Sequence, residues 1–434
     1  MKKKIVAMVP IKLNNERLPN KNTKDLGGIP LISYILHTLL QVEEIDDIYV
    51  FCSSEDVVPY LPNGVQFLRR DTELDKPTAN FTQFFEAFMS DIYADVYVFT
   101  HATAPFLRVK TISDCINKVI NESYDSSFTA SKLQDFLWMN NKPMNFDASN
   151  LPRSQDLEPI YRETSGVYVF ERNVIVDNRR RIGANPFIAE ISAKEATDIN
   201  VFEDFELAEA IVGQNRMNRT LNLIFDLDGV LIDSSQVQES AFYGSYNEVV
   251  GDNNCPDFSE YMKHTGDSLP NIFQKMGLPQ EMVIPYRRIS SEAIWEISVN
   301  WEIISYLREL CMIGAHINFA ICTGKDHKRT QDILDHFHIS DLFDAVICSD
   351  DVEHPKPDAE PTLRAMNALN GDNQNTILIG DGYNDILSAK NADITSILTT
   401  WYGDMGVPQE ANYLVKNAFQ FRNVIGAIFN GINV

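Results

Sequence analysis

Two α/β domains, each a mostly parallel sheet wrapped by helices, are predicted for this chain from three observations. Its 434 residues are about three times a typical ~150-residue domain, and 44% hydrophobic with 23% charged residues is a globular balance. Two segments, KKIVAMVPIKLNNERLPNKN from Lys3 and LNLIFDLDGVLIDSS from Leu221, share one grammar: a short apolar run, a polar cluster, then a helical pattern. In both halves apolar runs alternate with helical patterns, the order that builds parallel sheets. Such sheets bind ligands beyond the carboxyl ends of their strands, so chemistry is expected in the polar clusters.

In chain order, the strand candidates of the first half are IVAMVPI, DDIYVFCS, VQFLR, DVYVFTH, SSFTAS and SGVYVFE. PLISYILHTLLQV and NFTQFFEAFMSDIY read as helices between them. DINVFEDFELAEAIVG is predicted as a helix with apolar residues Phe205, Leu207, Ala208 and Ile211, running out at Gly213 before the polar stretch from Gln214 to Thr220. The expected division is therefore residues 1–213, a linker at 214–221 and a second domain over 222–434. There NLIFDLD, HINFAICTG, DAVICSDD and NTILIGDG read as buried strands. Residues 234–310 carry helical patterns without a convincing strand, the expectation for a helical insertion.

Composition excludes several classes. With 37 Lys and Arg against 61 Asp and Glu, a net charge of −24 argues against nucleic-acid or anionic-membrane partners. An acidic protein that handles phosphates is expected to use Mg²⁺ and a few placed cations. The six cysteines form no C-x-x-C pair, which fits reduced thiols better than a zinc ribbon or a disulfide framework. MKKKIVAMVPIKL lacks a leader's apolar stretch and no run of 18 apolar residues occurs, so a cytoplasmic protein is expected.

The most specific signal is Asp226-Leu227-Asp228-Gly229-Val230-Leu231 at the end of LNLIF. A turn at a strand end can aim both carboxylates into one pocket, one to attack phosphorus and the other to handle a proton. This segment resembles the first motif of the haloacid dehalogenase superfamily. Ile321-Cys322-Thr323-Gly324, Lys356 in His354-Pro355-Lys356-Pro357, and Gly380-Asp381-Gly382-Tyr383-Asn384-Asp385 resemble the other three, in order, across the second half. The resemblance implies a nucleophile at Asp226, an acid then base at Asp228, and a phosphoryl-holding hydroxyl and N–H at Thr323 and Gly324. It implies a steadying charge at Lys356. The implied Mg²⁺ set is Asp226, Asp228, Asp381 and Asp385, with Asp226 and Asp381 as side-chain ligands. The insertion then corresponds to a cap, in which His264-Thr265-Gly266-Asp267-Ser268 is the candidate substrate-facing loop, with Thr265 as its contact.

In the first half, Lys12, Arg17 and Lys21 fall within ten residues after the first strand, and Leu26-Gly27-Gly28-Ile29-Pro30-Leu31 opens a helix. Three cations so placed suit a triphosphate. The R-L-P-x-K loop resembles that of the sugar cytidylyltransferases, acylneuraminate type. Further matches are Leu68 to Asp71, Phe99 to Phe106, Arg153 to Asp156, Tyr161 to Tyr168 and Asp198 to Phe205. The resemblance implies CTP as co-substrate, held by Lys12, Asn15, Arg17, Lys21, Arg70 and His101, with Lys21 catalytic and Asp198 on Mg²⁺. It implies acceptor contacts at Arg153, Gln155 and Arg162, and an excursion over about Lys132 to Ser165 used for homo-oligomerisation. Three positions depart from the family pattern: Lys12 stands for the usual Arg, Asn200 for a second carboxylate and His101 for Gln.

Together the resemblances imply two Rossmann-like domains, a nucleotidyltransferase sheet and a capped core. They imply a bifunctional enzyme that joins cytidylyl transfer to an acidic sugar with phosphate monoester hydrolysis through an aspartyl-phosphate. Its partners would be CTP and an acidic sugar or a sugar or polyol phosphate. Transfer onto a phosphate or phosphonate oxygen, and a noncatalytic assembly role for one half, are the competing expectations.

Overall fold

The run IVAMVPI forms β1 (Ile5–Ile11). Ile5, Ala7, Val9 and Ile11 enter one core cluster while Val6 and Met8 enter another. Alternate side chains are thus buried on opposite faces of one strand, which is why the run is apolar throughout. In this computed structural model residues 2–15, 17–76, 78–217, 219–251, 254–264, 266–312, 316–403 and 410–430 are described. The chain divides into two units, Met1–Asn215 with Asn423–Val434, and Arg216–Arg422.

The first unit's sheet continues with β2 (Asp47–Cys52), β3 (Val65–Arg69), β4 (Val96–Thr100), β5 (Ser126–Leu133), β6 (Ile160–Glu171) and β7 (Pro186–Glu190). Their order is β7-β5-β6-β4-β1-β2-β3. β1 runs parallel to β2 and β4, and β6 is antiparallel to both β4 and β5. The predicted helices are present as α1 (Leu31–Leu40) and α2 (Phe81–Asp91), the latter started by a capping box between Asn80 and Gln83. α2 sets Phe85 and Phe88 against Tyr97, Phe99 and Phe170 in the second core cluster.

The helix at the expected boundary spans Phe202–Met217 and passes through Gly213 rather than stopping there. An open site surrounds Gly213, so nothing in the packing ends the helix at that point. Its buried stripe is Phe205, Ala208 and Val212, whereas Leu207 is exposed. The i, i+3, i+7 spacing on a 3.6-residue turn selects that face. The C-terminal end also departs from the expected division: Ala427 packs with Leu26, Ile29, Tyr34 and Phe205 in the first unit. Asn430 donates there to the Gly27 carbonyl (3.1 Å) and the Tyr34 hydroxyl (2.8 Å).

The second unit's sheet contains β8 (Leu221–Phe225), β9 (Ile317–Cys322), β10 (Ala345–Ile347), β11 (Thr376–Gly380), β12 (Thr395–Thr399) and β13 (Tyr413–Val415). All are parallel, in the order β10-β9-β8-β11-β12-β13. The register pairs Phe225 with Ile321 and with Ile379, so the strands end level and their following residues share one rim. The insertion is helical as expected, with Ser235–Val249, Phe258–Met262, Leu269–Lys275 and Val283–Glu292. A two-residue ladder, Ile232–Asp233 with Ser298–Val299, closes its base where no strand was expected.

Candidate active sites

At the rim of the second sheet, the Asp226 amide donates to the Ile379 carbonyl (2.8 Å), which extends the ladder one residue and aims the carboxylate beyond the strands. Lys356 Nζ donates to Asp226 Oδ1 (2.7 Å), Asp385 Oδ1 (2.5 Å) and the Cys322 carbonyl (3.0 Å). One ammonium thus ties together the ends of β8 and β9 and the helix after β11. Gly229, at φ +72°, lets the turn pass the Asp381 carboxylate, which any Cβ there would strike.

Oxygens of Asp226, Asp381 and Asp385 lie within 4.8 Å of one another. Burial, with Asp385 and Asp228 nearby, pushes Asp226 up to about 7 in spite of Lys356. Burial and the Asp385 and Asp226 charges likewise raise Asp381 well above the carboxylate range. Three crowded carboxylates facing one ammonium are a donor set that fits a hard divalent cation. Asp228 is outside that trio, a departure from the expected metal set. Its side chain accepts from Lys325 Nζ and Ser234 Oγ, and from Gln238 Nε2 (3.3 Å). Although burial opposes ionisation, Lys325 and Ser234 hold Asp228 below its ordinary value.

A cavity of about 170 Å³ opens over these groups, walled by Thr323, Gly324, Lys325 and Arg329 from the core and by Gln238, Gly266 and Asp267 from the insertion. Thr323 Oγ1 accepts from the Lys325 amide (3.2 Å), which fixes the loop after β9. A Cβ on Gly324 would lie 2.7 Å from the Gly266 carbonyl oxygen, so the two loops meet at a glycine. The expected contact Thr265 lies outside the described residues, though its neighbours Gly266 and Asp267 do line the cavity.

In the first unit, a cavity of about 330 Å³ beyond β1 and β4 is lined by Lys12, Asn15, Lys21, Arg70, His101 and Asp198. Lys12 Nζ donates to the Asp75 carbonyl (2.9 Å) and Lys21 Nζ to the Ile199 carbonyl (2.7 Å). Burial pulls the Lys21 ammonium below its usual value, against the opposing charges of Asp198 and Asp204. Asp198 Oδ1 and Asn15 Oδ1 are buried without a partner, while Asp198 Oδ2 accepts from Asn200 Nδ2 (2.8 Å). Unpaired buried oxygens facing a cavity with ammonium groups fit an anionic ligand carrying a cation.

Arg70 faces this cavity but is largely committed: it donates to the Phe51 carbonyl (3.1 Å), the Ile11 carbonyl (2.9 Å) and Asp75. His101 stacks edge-on against Phe99 at 4.6 Å, and burial pulls its imidazole down to about 4. It therefore brings a neutral hydrogen-bonding ring at neutral pH. Four expected contacts are absent from this wall. Arg17 is exposed on the loop. Arg153 pairs with Asp156 (2.7 Å), Gln155 is exposed, and Arg162 Nε donates to Ser131 Oγ (3.2 Å). Arg153 and Gln155 sit in the excursion between β5 and β6, and Arg162 sits near the start of β6, paired with Ser131 of β5.

Residue patterns missed Ser234, Lys325 and Arg329 in the second cavity, and Asn22 and Asp75 in the first. A signal for one of them, Arg329, existed. His327, Lys328 and Arg329 crowd the first turn of the helix His327–His336, the end where the macrodipole disfavours cations.

Residues 6–224 match the family model described as cytidylyltransferase, and residues 223–399 match that of the haloacid dehalogenase-like hydrolases. The chain belongs to the cytidylyltransferase family and carries a haloacid dehalogenase-like hydrolase domain behind it, so it is a transferase and phosphatase in one polypeptide. Pyrophosphatase PpaX of Bacillus velezensis is 31% identical over 189 residues, 42% of this chain and 84% of that protein. Pyrophosphatase PpaX of Bacillus mycoides is 29% identical over 182 residues, 41% of this chain and 83% of that protein. The N-acylneuraminate cytidylyltransferase of Oncorhynchus mykiss is 25% identical over 218 residues, 48% of this chain and 50% of its own length.

Proposed function

We propose that the first site transfers CMP from CTP to an oxygen of an acidic sugar, releasing pyrophosphate, and that the second hydrolyses a phosphate monoester through an aspartyl-phosphate on Asp226. One observation carries the second assignment: the Lys356 ammonium bonds both Asp226 and Asp385 at the sheet rim. Asp226 attacks phosphorus while the Thr323 hydroxyl and the Gly324 N–H hold phosphoryl oxygens. Asp228 protonates the leaving oxygen and then takes a proton from the water that attacks the aspartyl-phosphate. Lys325 holds Asp228 ionised in the substrate-free state; the arriving phosphoryl dianion draws that ammonium away and lets Asp228 take up from solvent the proton it then gives to the leaving oxygen. Mg²⁺ held by Asp226, Asp381 and Asp385 would offset phosphoryl charge. In the first site Lys12 and Lys21 neutralise the leaving pyrophosphate, and Asp198 and Asn15 are the groups suited to hold CTP with its Mg²⁺.

Incubation with CTP, Mg²⁺ and sugar acids, sugar phosphates and polyol phosphates, measuring pyrophosphate and phosphate separately, tests both sites. Asp226→Asn is expected to abolish phosphate release from the esters and spare pyrophosphate release, and Lys21→Ala to do the reverse. A preference for UTP or GTP would overturn the cytidylyl assignment. A second reading of the phosphatase substrate is pyrophosphate itself, favoured because two relatives of that half carry the name pyrophosphatase and the first reaction would release it. Pyrophosphate hydrolysed faster than every ester in the same screen would select it.

A homo-oligomer is proposed through the excursion between β5 and β6, where Trp138 (59% exposed), Met139 (61%) and Leu151 (66%) offer an apolar surface. Trp138→Glu is expected to shift the chain to a smaller species in light scattering coupled to size exclusion; an unchanged mass would remove this surface from consideration.

A further inference from the structure

We propose that Arg329 recognises a carboxylate on the leaving group, so that the second site's substrate is a phosphorylated acid in preference to a neutral sugar or polyol phosphate. The inference rests on the phosphatase reading of that site and concerns only what lies beyond the phosphoryl group.

The cations around the cavity divide by what they face. Lys356 is spent on Asp226 and Asp385, and Lys325 on Asp228, all beside the reacting phosphorus. Arg329 is the remaining described cation in the wall, next to Gln238 and Tyr286 on the side of the insertion. Its side chain is 11% exposed, and its Nε donates to Asp326 Oδ2 (2.9 Å). The same carboxylate takes an ion pair from Arg287 at 3.0 Å. Two guanidinium groups share one carboxylate, which leaves one positive charge in excess where hydration is poor.

Other neighbours cancel it only in part: the Asp228 carboxylate of the same cavity feels the Arg329 charge but is bonded to Lys325. Asp332, one turn further along the helix, pairs with Lys328 at 3.7 Å, and Asp267 pairs with Lys275. Tyr286 places its ring 5.9 Å from the guanidinium, and its hydroxyl is bonded to that of Tyr261 (2.9 Å). The helix end adds further positive potential rather than relieving it. A largely desolvated, under-compensated guanidinium on a ligand cavity gains most from an anion, and its planar fork matches a carboxylate at two points. Asp326 fixes the fork through Nε, so the guanidinium is held in orientation before the ligand arrives.

The test compares 6-phosphogluconate with sorbitol 6-phosphate on the full-length protein with Mg²⁺, esters of equal carbon number that differ by a carboxylate against a hydroxymethyl group. p-Nitrophenyl phosphate reports the underlying phosphatase. The ratio of kcat/KM, acid over polyol, is expected to be at least about tenfold in the wild type, given what a lost charged hydrogen-bond partner costs. It should collapse toward one in Arg329→Gln and be partly kept in Arg329→Lys, which keeps the charge without the fork. A ratio is independent of how much of each variant is folded, so a purely structural role would leave it unmoved. A wild-type ratio near one, or a ratio unchanged in Arg329→Gln, overturns the inference. If p-nitrophenyl phosphate is turned over by the wild type and not by Asp226→Asn, the phosphatase reading survives that failure; if none of the three is hydrolysed, both fall.

Discussion

Gly229 shows how one backbone angle serves the chemistry. Its φ of +72° is costly for any residue with a side chain, and the place a Cβ would occupy is taken by the Asp381 carboxylate. Gly229→Ala therefore combines roughly 1–2 kcal/mol of backbone strain with displacement of a group beside Asp226. Phosphate release from an ester is expected to fall at least about 100-fold, from about 3 kcal/mol of lost transition-state stabilisation, while pyrophosphate release from CTP stays within error. Equal loss at both sites would instead mean general misfolding. Lys356 acts by a different route: buried between two carboxylates, it is stabilised in its charged form well above the usual lysine range even though burial works against it. That charge favours the anionic form of Asp226, against the burial that raises its carboxyl to about 7.

At the scale of elements, the loop after β9 and the insertion meet at Gly324, with room for a hydrogen and nothing larger between it and the Gly266 and Asp267 carbonyls. Gly324→Ala would force a separation at a 2.7 Å approach, so the insertion should seat less fully over Asp226. The expected signature is a raised KM for the ester and a lowered kcat with little change in thermal stability, read by steady-state kinetics and calorimetry. The strands flanking both rims were legible in sequence because they are buried on both faces: IVAMVPI, LNLIF and TILIG contain no polar residue on either face except Asn222 and Thr376. That asparagine is paired with Asn318 (2.8 Å) and Asn375 (2.8 Å). β7, β12 and β13 were not read; they are three to five residues long and lie at or near sheet edges, as do β3 and β10, whose apolar runs were read. Asp226, Lys356, Asp381 and Asp385 stand in motifs readable from the sequence, and the structure brings them together at the rim. Ser234 and Lys325 were not legible, since their roles depend on side chains brought together from the insertion and the loop after β9, which no local pattern records; Arg329 left only the trace of three basic residues at a helix start.

At the scale of the whole molecule, chain order and spatial order part company at the C-terminus. Ala427 is fully buried among Leu26, Ile29, Tyr34 and Phe205, and Asn430 bonds the Gly27 carbonyl and the Tyr34 hydroxyl, 403 and 396 residues away in sequence. The cluster lies behind the loop that carries Lys12 and Lys21 and includes Leu18 of that loop and Ile199, whose carbonyl receives Lys21 Nζ at 2.7 Å. A buried glutamate at position 427 would lack a partner and would cost several kcal/mol, or force the segment out and expose the apolar cluster. Ala427→Glu is thus expected to lower the unfolding temperature of the first unit by several degrees and to weaken pyrophosphate release from CTP, because the support of the Lys21 loop loosens. The motifs around Asp226 are untouched by the substitution, so ester hydrolysis should persist at temperatures where pyrophosphate release has been lost. Differential scanning calorimetry paired with the two product assays at stepped temperatures checks this. If ester hydrolysis disappears first, the C-terminal residues support the second unit instead, and the division at Arg422 is misplaced.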